Sequence, residues 1–155
     1  MSASASERLA ELGITLPAVP APLASYVPAV RTGSLVYTSG HLPLVDGELR
    51  HVGKVGAEVT PEDAAADARV AALNAIAAVD ALVGVDAVVR VVKMVGYVAS
   101  APGFTGQPAV VNGASEVLGE IFGPEGAHAR SAVGMAVLPL DVPVEIELIV
   151  EVVVE

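Results

Sequence analysis

The chain has no cysteine and no tryptophan, only three tyrosines and two phenylalanines, and eight lysines and arginines among 155 residues. The missing thiols exclude disulfides, thiolate nucleophiles and cysteine-ligated zinc. With aromatics at 3%, the core must come from the Ala and Val that dominate an apolar share of 54%. Small side chains permit close approach, a composition suited to helices lying tightly on a sheet. The basic deficit leaves a formal charge of −10. Phosphate backbones are held by clustered Lys and Arg, and no two basic residues adjoin here. Nucleic acid is therefore disfavoured as a main partner, and the acidic balance reads as a solubility feature.

Long hydrophobic runs are also missing. Asn74, Asp80, Asp86, Arg90, Lys93 or Glu151 interrupts every apolar stretch well short of a membrane span. The start, Met-Ser-Ala-Ser-Ala-Ser-Glu-Arg-Leu-Ala, has no basic segment followed by an apolar run. A cytoplasmic location and no membrane partner are the expectation. The length suits one domain with its own core. Residues 1–23 read as an N-terminal extension carrying a short helix, and residues 24–155 as a single domain.

Cap and turn signals divide the chain. Ser6 is expected to cap a helix over 7–12 that Gly13 stops. Pro17, Pro20 and Pro22 mark an extended approach. Strands are expected over 26–31 and 35–39 around Thr32-Gly33-Ser34, and Val45-Asp46-Gly47-Glu48 is a second turn signal. Thr60 caps a long helix, Pro61 opens it, and Glu62 and Asp63 meet the positive end of its dipole. It runs to about Val83 and ends at Gly84. Ala65, Ala68, Ala72, Ile76, Val79 and Val83 form one stripe on it, with Asp63, Asp67 and Asn74 on the other side.

A Val-rich strand covers 88–99, and a loop with Pro102, Gly103 and Gly106 covers 100–106. A second helix spans 108–122 until Gly123-Pro124 breaks it. Two strands close the chain, one led by Arg130 and one carrying Glu145, around a turn at 139–143. The order β-β-α-β-α-β-β suits an α+β fold, a mixed sheet with two helices on one face. The other face is apolar and needs cover that further subunits would supply.

The last quarter of the chain carries the candidate chemistry. A guanidinium at Arg130 and a carboxylate at Glu145, taken to lie on adjacent strands, form a small-molecule site. The arginine would hold a substrate carboxylate bidentately, and the glutamate would orient a water or move a proton. Spacing alone fits a surface arginine in a weak ion pair better. Glu145 and Glu147 alternate with Val144, Ile146 and Leu148, so they share one side of their strand, and a solvated face accounts for that too. His41, His51 and His128 lack metal-site spacing and read as ordinary surface or partly buried histidines. No Gly-x-Ser-x-Gly elbow and no Gly-rich phosphate loop with Lys are present. Asn112 fits a polar helix face, and Tyr26 fits strand packing.

Several segments together resemble one family. Arg130-Ser131 through Leu138-Pro139 to Val144-Glu145-Ile146-Glu147 is similar to the signature of the Rid family (reactive intermediate deaminases, YjgF-like proteins). Tyr26-Val27-Pro28-Ala29-Val30, Leu35-Val36-Tyr37-Thr38-Ser39-Gly40-His41-Leu42-Pro43 and Val111-Asn112 resemble further family segments, so the likeness runs from about Ala24 onward. The chain departs from the family pattern at Val27, His41 and Ser115, where Ser, Gln and Tyr are usual. These departures, the loop after Tyr97 and the N-terminal extension mark a divergent subgroup.

The resemblance implies a chorismate mutase-like homotrimer with a barrel-like core and ligand clefts between neighbours. Carried over by position, Arg130 binds the substrate carboxylate and Glu145 positions the attacking water. Tyr26, Ser39, Gly40 and Asn112 line the cleft. The implied reaction is hydrolysis of a 2-imino or 2-aminoacrylate-type acid to a 2-oxo acid and ammonia, with no metal or organic cofactor. An imine carbon is already electrophilic, so water needs orientation more than strong activation. The competing expectations are a non-catalytic trimer that binds small carboxylates such as 2-oxo acids, and an RNA-cleaving translation inhibitor, which the acidic charge disfavours.

Overall fold

In the computed structural model, which describes residues 2–19 and 25–154, the chain runs α1 (Ala5–Glu11), β1 (Ala29–Thr32), β2 (Leu35–Thr38), β3 (Leu44–Val45), β4 (Glu48–Leu49), α2 (Pro61–Val83), β5 (Val88–Ala99), α3 (Gln107–Phe122), β6 (Ala129–Met135) and β7 (Val144–Val152). The five-stranded sheet has the order β1-β2-β7-β5-β6, antiparallel except for the parallel pair β5 and β6. β3 and β4 form a separate hairpin. The α+β class and the mixed sheet with α2 and α3 on one face are as the sequence implies.

Local chemistry explains most boundaries. Thr60 Oγ1 accepts from the Asp63 N–H at 3.1 Å, and α2 begins at Pro61 and is capped by Gly84 after Val83. Thr32 pairs with Leu35, which leaves Gly33 at a φ of 60° to make the turn. Asp46 and Gly47 both take positive φ between β3 and β4, the requirement of a tight hairpin turn. At the N-terminus the cap is Ser4 rather than Ser6. Ser4 Oγ accepts from Glu7 N–H while the Glu7 carboxylate takes the Ser4 N–H. Ser6 is drawn away by Asp86, which accepts its N–H at 2.8 Å and its O–H at 2.5 Å. Leu9 is buried in the main core, so α1 is docked on the domain. The first strand starts at Ala29, later than expected, and the expected boundary between residues 23 and 24 lies outside the described residues.

The core lies between the sheet and the two long helices. Along β7, Val144, Ile146, Leu148, Val150 and Val152 are buried, while Glu145, Glu147, Ile149 and Glu151 alternate to the opposite face. Each fully buried aliphatic side chain of this row contributes about 1.5–3 kcal/mol. Gly96 on β5 admits α3, since a Cβ there would meet Val111 Cγ1 at 2.6 Å. Among the described residues no helix covers the far face of the sheet. Val30, Tyr37, Val133 and Met135 are exposed there. No helix among the described residues is long and apolar enough to cross a membrane.

The side of α2 away from the apolar stripe is covered as well. Asp67 and Asn74, placed on a face away from the apolar stripe, are fully buried at 0% and 1% exposure. The segment between His41 and Val59 folds over that face, so the face is covered. Asn74 Nδ2 donates to the carbonyls of Leu42 at 2.9 Å and Leu44 at 3.0 Å. Asp67 takes Arg50 Nη2 at 3.2 Å and pairs with His51 Nδ1 at 3.0 Å. Buried polar groups must be satisfied, and here that requirement fastens the loop after β2 to α2.

Candidate active site

Arg130 and Glu145 are not on adjacent strands. β5 runs between β6 and β7, which separates the two residues by two strand spacings, about 10 Å. Arg130 stands opposite Met94, a core residue, whereas Glu145 stands opposite Tyr97, three residues further along β5. An odd offset reverses the face. Arg130 therefore faces α3, and Glu145 faces the side without helices. The chain presents two groups of candidate residues, not one site.

The first group sits on β6 and α3. Arg130 Nη1 donates to Asn112 Oδ1 at 2.8 Å and to Ser115 Oγ at 3.1 Å, and Nη2 donates to the Pro108 carbonyl at 3.2 Å. Asn112 and Ser115 lie one helical turn apart on α3, so both reach the same guanidinium. Every acceptor is neutral. Among the described residues no carboxylate pairs with Arg130, and its charge stays available to an anion.

The second group sits where β2 ends against β7. Ser39 Oγ donates to the Val27 carbonyl at 2.6 Å, and the Ser39 N–H donates to the Pro28 carbonyl at 2.8 Å. These bonds set the chain that carries Tyr26 beside Gly40. Tyr26 is 45% exposed. His41 exchanges backbone hydrogen bonds with Ile146, which brings Gly40 onto Glu145. A Cβ on Gly40 would overlap Glu145 Oε2 and stand 2.8 Å from Glu145 Cδ.

The half-buried Glu145 carboxylate accepts no hydrogen bond from the described residues. Burial pushes its pKa above the usual carboxylate range, and the neighbouring Glu147 pushes it the same way. Glu147 itself accepts the Tyr97 O–H at 2.5 Å, and that bond drives the Tyr97 hydroxyl up to about 12. Burial keeps His41 below the ordinary histidine pKa, although its contact with the Pro28 carbonyl opposes this.

Gly40→Ala tests this contact. The added methyl must drive the carboxylate of Glu145 toward solvent, so its pKa is expected to fall toward the usual range. Carbon-13 NMR titration of the glutamate side chains reads the change, and an unaltered Glu145 titration would show that the two residues do not press together.

Comparison with known proteins decides the family. The family model described as "YjgF/chorismate_mutase-like, putative endoribonuclease" matches residues 6–152. The chain belongs to this YjgF-like family. Protein TCP17 of Trypanosoma cruzi is 43% identical over 157 residues, which cover 97% of this chain and 98% of that protein. The crystal structure of Atu1372, a protein of unknown function from Agrobacterium tumefaciens, is 44% identical with a TM-score of 0.88, covering 97% of this chain and 94% of that one. The crystal structure of Escherichia coli TdcF with bound serine is 27% identical with a TM-score of 0.62, covering 88% and 94%.

As a YjgF-like chain the protein keeps together Arg130 with Asn112, and separately Glu145 with Gly40 and the Ser39 and Tyr26 segment. Sequence reasoning did not find the roles of Ser115, His128 and Tyr97 in these groups. Ser115 was accessible from its spacing of three from Asn112, and His128 from its place two residues before Arg130, just ahead of β6. Tyr97 had no sequence signal, because its partner Glu147 is fixed only by the pairing of β5 with β7. Among the described residues no group of three or more His, Asp or Glu is placed to hold a metal ion.

Proposed function

We propose that this protein hydrolyses small 2-imino or enamine acids to 2-oxo acids and ammonia, in clefts between the subunits of a homotrimer. The observation that supports it best is the separation of Arg130 from Glu145 onto opposite faces of the sheet. A guanidinium without a counter-ion and a carboxylate without a donor are complementary halves. A second copy, packed on the exposed face that bears Val30, Tyr37, Val133 and Met135, would bring them together.

The chemistry follows from the two groups. Three of the five guanidinium N–H donors are spent on α3, which leaves Nε–H and one Nη2–H for both oxygens of a substrate carboxylate. Glu145 accepts a proton from water as the oxygen attacks the imine carbon. The C–O bond forms, the C=N π pair moves to nitrogen, and Glu145 passes that proton to the nitrogen. The carbinolamine hydroxyl then gives its proton through Glu145 to the amine as the C=O bond forms, the C–N bond breaks and ammonia departs. A carboxyl with a raised pKa suits both steps, because it takes and gives its proton nearer neutrality. Tyr26, Ser39, Gly40 and Asn112 would line the cleft. A cytoplasmic setting and independence from metals or organic cofactors belong to the same proposal.

Glu145→Gln keeps the shape and removes the base. Turnover of freshly generated 2-aminoacrylate is expected to fall about 100-fold, while 2-oxobutyrate still binds. The wild-type rate should decline as pH falls through the raised pKa of Glu145, since the base form is lost. Wild-type turnover by Glu145→Gln, or a monomeric mass by light scattering at micromolar concentration, would reject the shared site. A binding trimer without turnover is the second reading, favoured by the serine that TdcF holds. It predicts 2-oxobutyrate binding with no ammonia release. The family description also mentions an endoribonuclease, but a formal charge of −10 gives RNA little to bind. Salt-dependent RNA binding and cleavage would favour that activity.

A further inference from the structure

The Arg130 guanidinium is held by a chain of hydrogen bonds whose direction is fixed. His128 Nδ1 lies 2.6 Å from the Gly126 carbonyl, which can only accept, so Nδ1 carries the proton. The other nitrogen, Nε2, is then an acceptor in the neutral ring. It lies 3.0 Å from Ser115 Oγ, which must donate to it. With its proton committed to His128, Ser115 Oγ turns a lone pair to Arg130 Nη1 at 3.1 Å. Asn112 takes the other Nη1 proton, and the Pro108 carbonyl takes one on Nη2. The plane of the guanidinium is set by these bonds, and its uncommitted edge is Nε–H with the second Nη2–H.

We infer that Ser115 and His128 are positioning residues that set this edge for a carboxylate ligand, an inference that rests on Arg130 being the anion-binding group of the site proposed above. A hydroxyl not fixed by His128 could rotate its own proton toward Nη1 and repel it. The imidazole thus acts at a distance of two hydrogen bonds, without touching ligand. The Ser115–His128 contact also resembles that of an activated nucleophile. Two features oppose that role. Arg130 draws on one of the two serine lone pairs and lowers the oxygen's nucleophilicity, and Ser115 lies inside α3, where helical bonding consumes the backbone N–H groups that would otherwise stabilise an oxyanion.

Calorimetric binding of 2-oxobutyrate to the full chain tests the relay. Ser115→Ala is expected to weaken binding about tenfold, the scale of one hydrogen bond to a charged group. His128→Leu should weaken it by a similar factor, and the double variant no further, because both substitutions break one chain. Ser115→Thr restores the hydroxyl and should bind nearly as wild type, an outcome that a packing role for the serine does not require. In an Arg130→Lys background, Ser115→Ala should add little.

If Arg130→Ala abolishes binding but Ser115→Ala does not alter it, the relay is refuted while the carboxylate site stands. Losses that simply multiply in the double variant would refute it equally. If Arg130→Ala itself binds normally, the site proposal fails first. Long-range proton–nitrogen NMR of wild-type protein gives a test independent of any variant. A neutral His128 protonated on Nδ1 supports the relay, and a proton on Nε2 at neutral pH overturns it.

Discussion

Arg130→Ala should lower turnover efficiency by on the order of 100-fold or more, because two charge-assisted hydrogen bonds worth roughly 1.5–3 kcal/mol each disappear together. The fold should survive. Asn112 and Pro108 are exposed, so the acceptors that the guanidinium leaves behind can turn to water. Arg130→Lys should also be impaired. An ammonium keeps the charge but cannot hold Asn112, Ser115 and the Pro108 carbonyl while presenting a planar fork. Hydrolysis of 2-aminoacrylate, monitored by ammonia release beside a thermal unfolding scan, separates these effects. A folded Arg130→Ala protein with near-normal rates would make Arg130 an ordinary surface arginine. A large loss of thermal stability would make it a structural residue.

Most of the fold was legible because its signals are local. Thr60-Pro61 and Gly84 mark the ends of α2 by capping chemistry, and the alternation in β7 marks its buried row. The misreadings arise where distant segments decide. β6 and β7 are consecutive in sequence, and consecutive strands are neighbours about two-thirds of the time. Here β6 pairs in parallel with β5, and β7 returns to the other side of β5. No residue in either strand states that order, yet it moves Glu145 from beside Arg130 to the opposite face. Helical periodicity registers one apolar stripe on α2, and it carries no sign of the loop that buries Asp67 and Asn74 on the other side. Ser4 and Ser6 are equally good caps by type, and only the distant Asp86 chooses between them.

The same topology bears on the site. Each candidate group is internally ordered by short-range contacts, Arg130 by α3 and Glu145 by Gly40. Neither group depends on the other within one chain. In the proposed trimer, halves preorganised in this way would need only docking of a second copy to complete the cleft, which would limit the ordering cost of assembly.

Gly113→Ala should be the most damaging single-methyl change in the helical layer, and its consequences should reach Arg130. A Cβ at Gly113 would overlap the Ala65 carbonyl oxygen of α2 and stand 2.8 Å from its carbon and 3.2 Å from its Cα. These are backbone atoms inside a helix, so no side chain can swing aside and the helices must part. Alanine favours the helical state over glycine by about 1 kcal/mol. Overpacking a close contact costs about 1–3 kcal/mol and sometimes more. The second effect should win here because the overlap is with rigid backbone. A net loss of about 2 kcal/mol corresponds to a fall in Tm of roughly 4–8 °C for a chain of this size. Gly119→Ala on the same helix is the control, since nothing lies within 4 Å of its missing Cβ. It should keep the propensity gain and unfold slightly later than wild type. Asn112 precedes Gly113 and Ser115 follows it by two residues, so a displaced α3 carries away two of the acceptors that orient Arg130. Gly113→Ala should therefore also weaken 2-oxobutyrate binding, whereas Gly119→Ala should not. Equal Tm values for the two variants would mean that α2 and α3 do not approach so closely at this point.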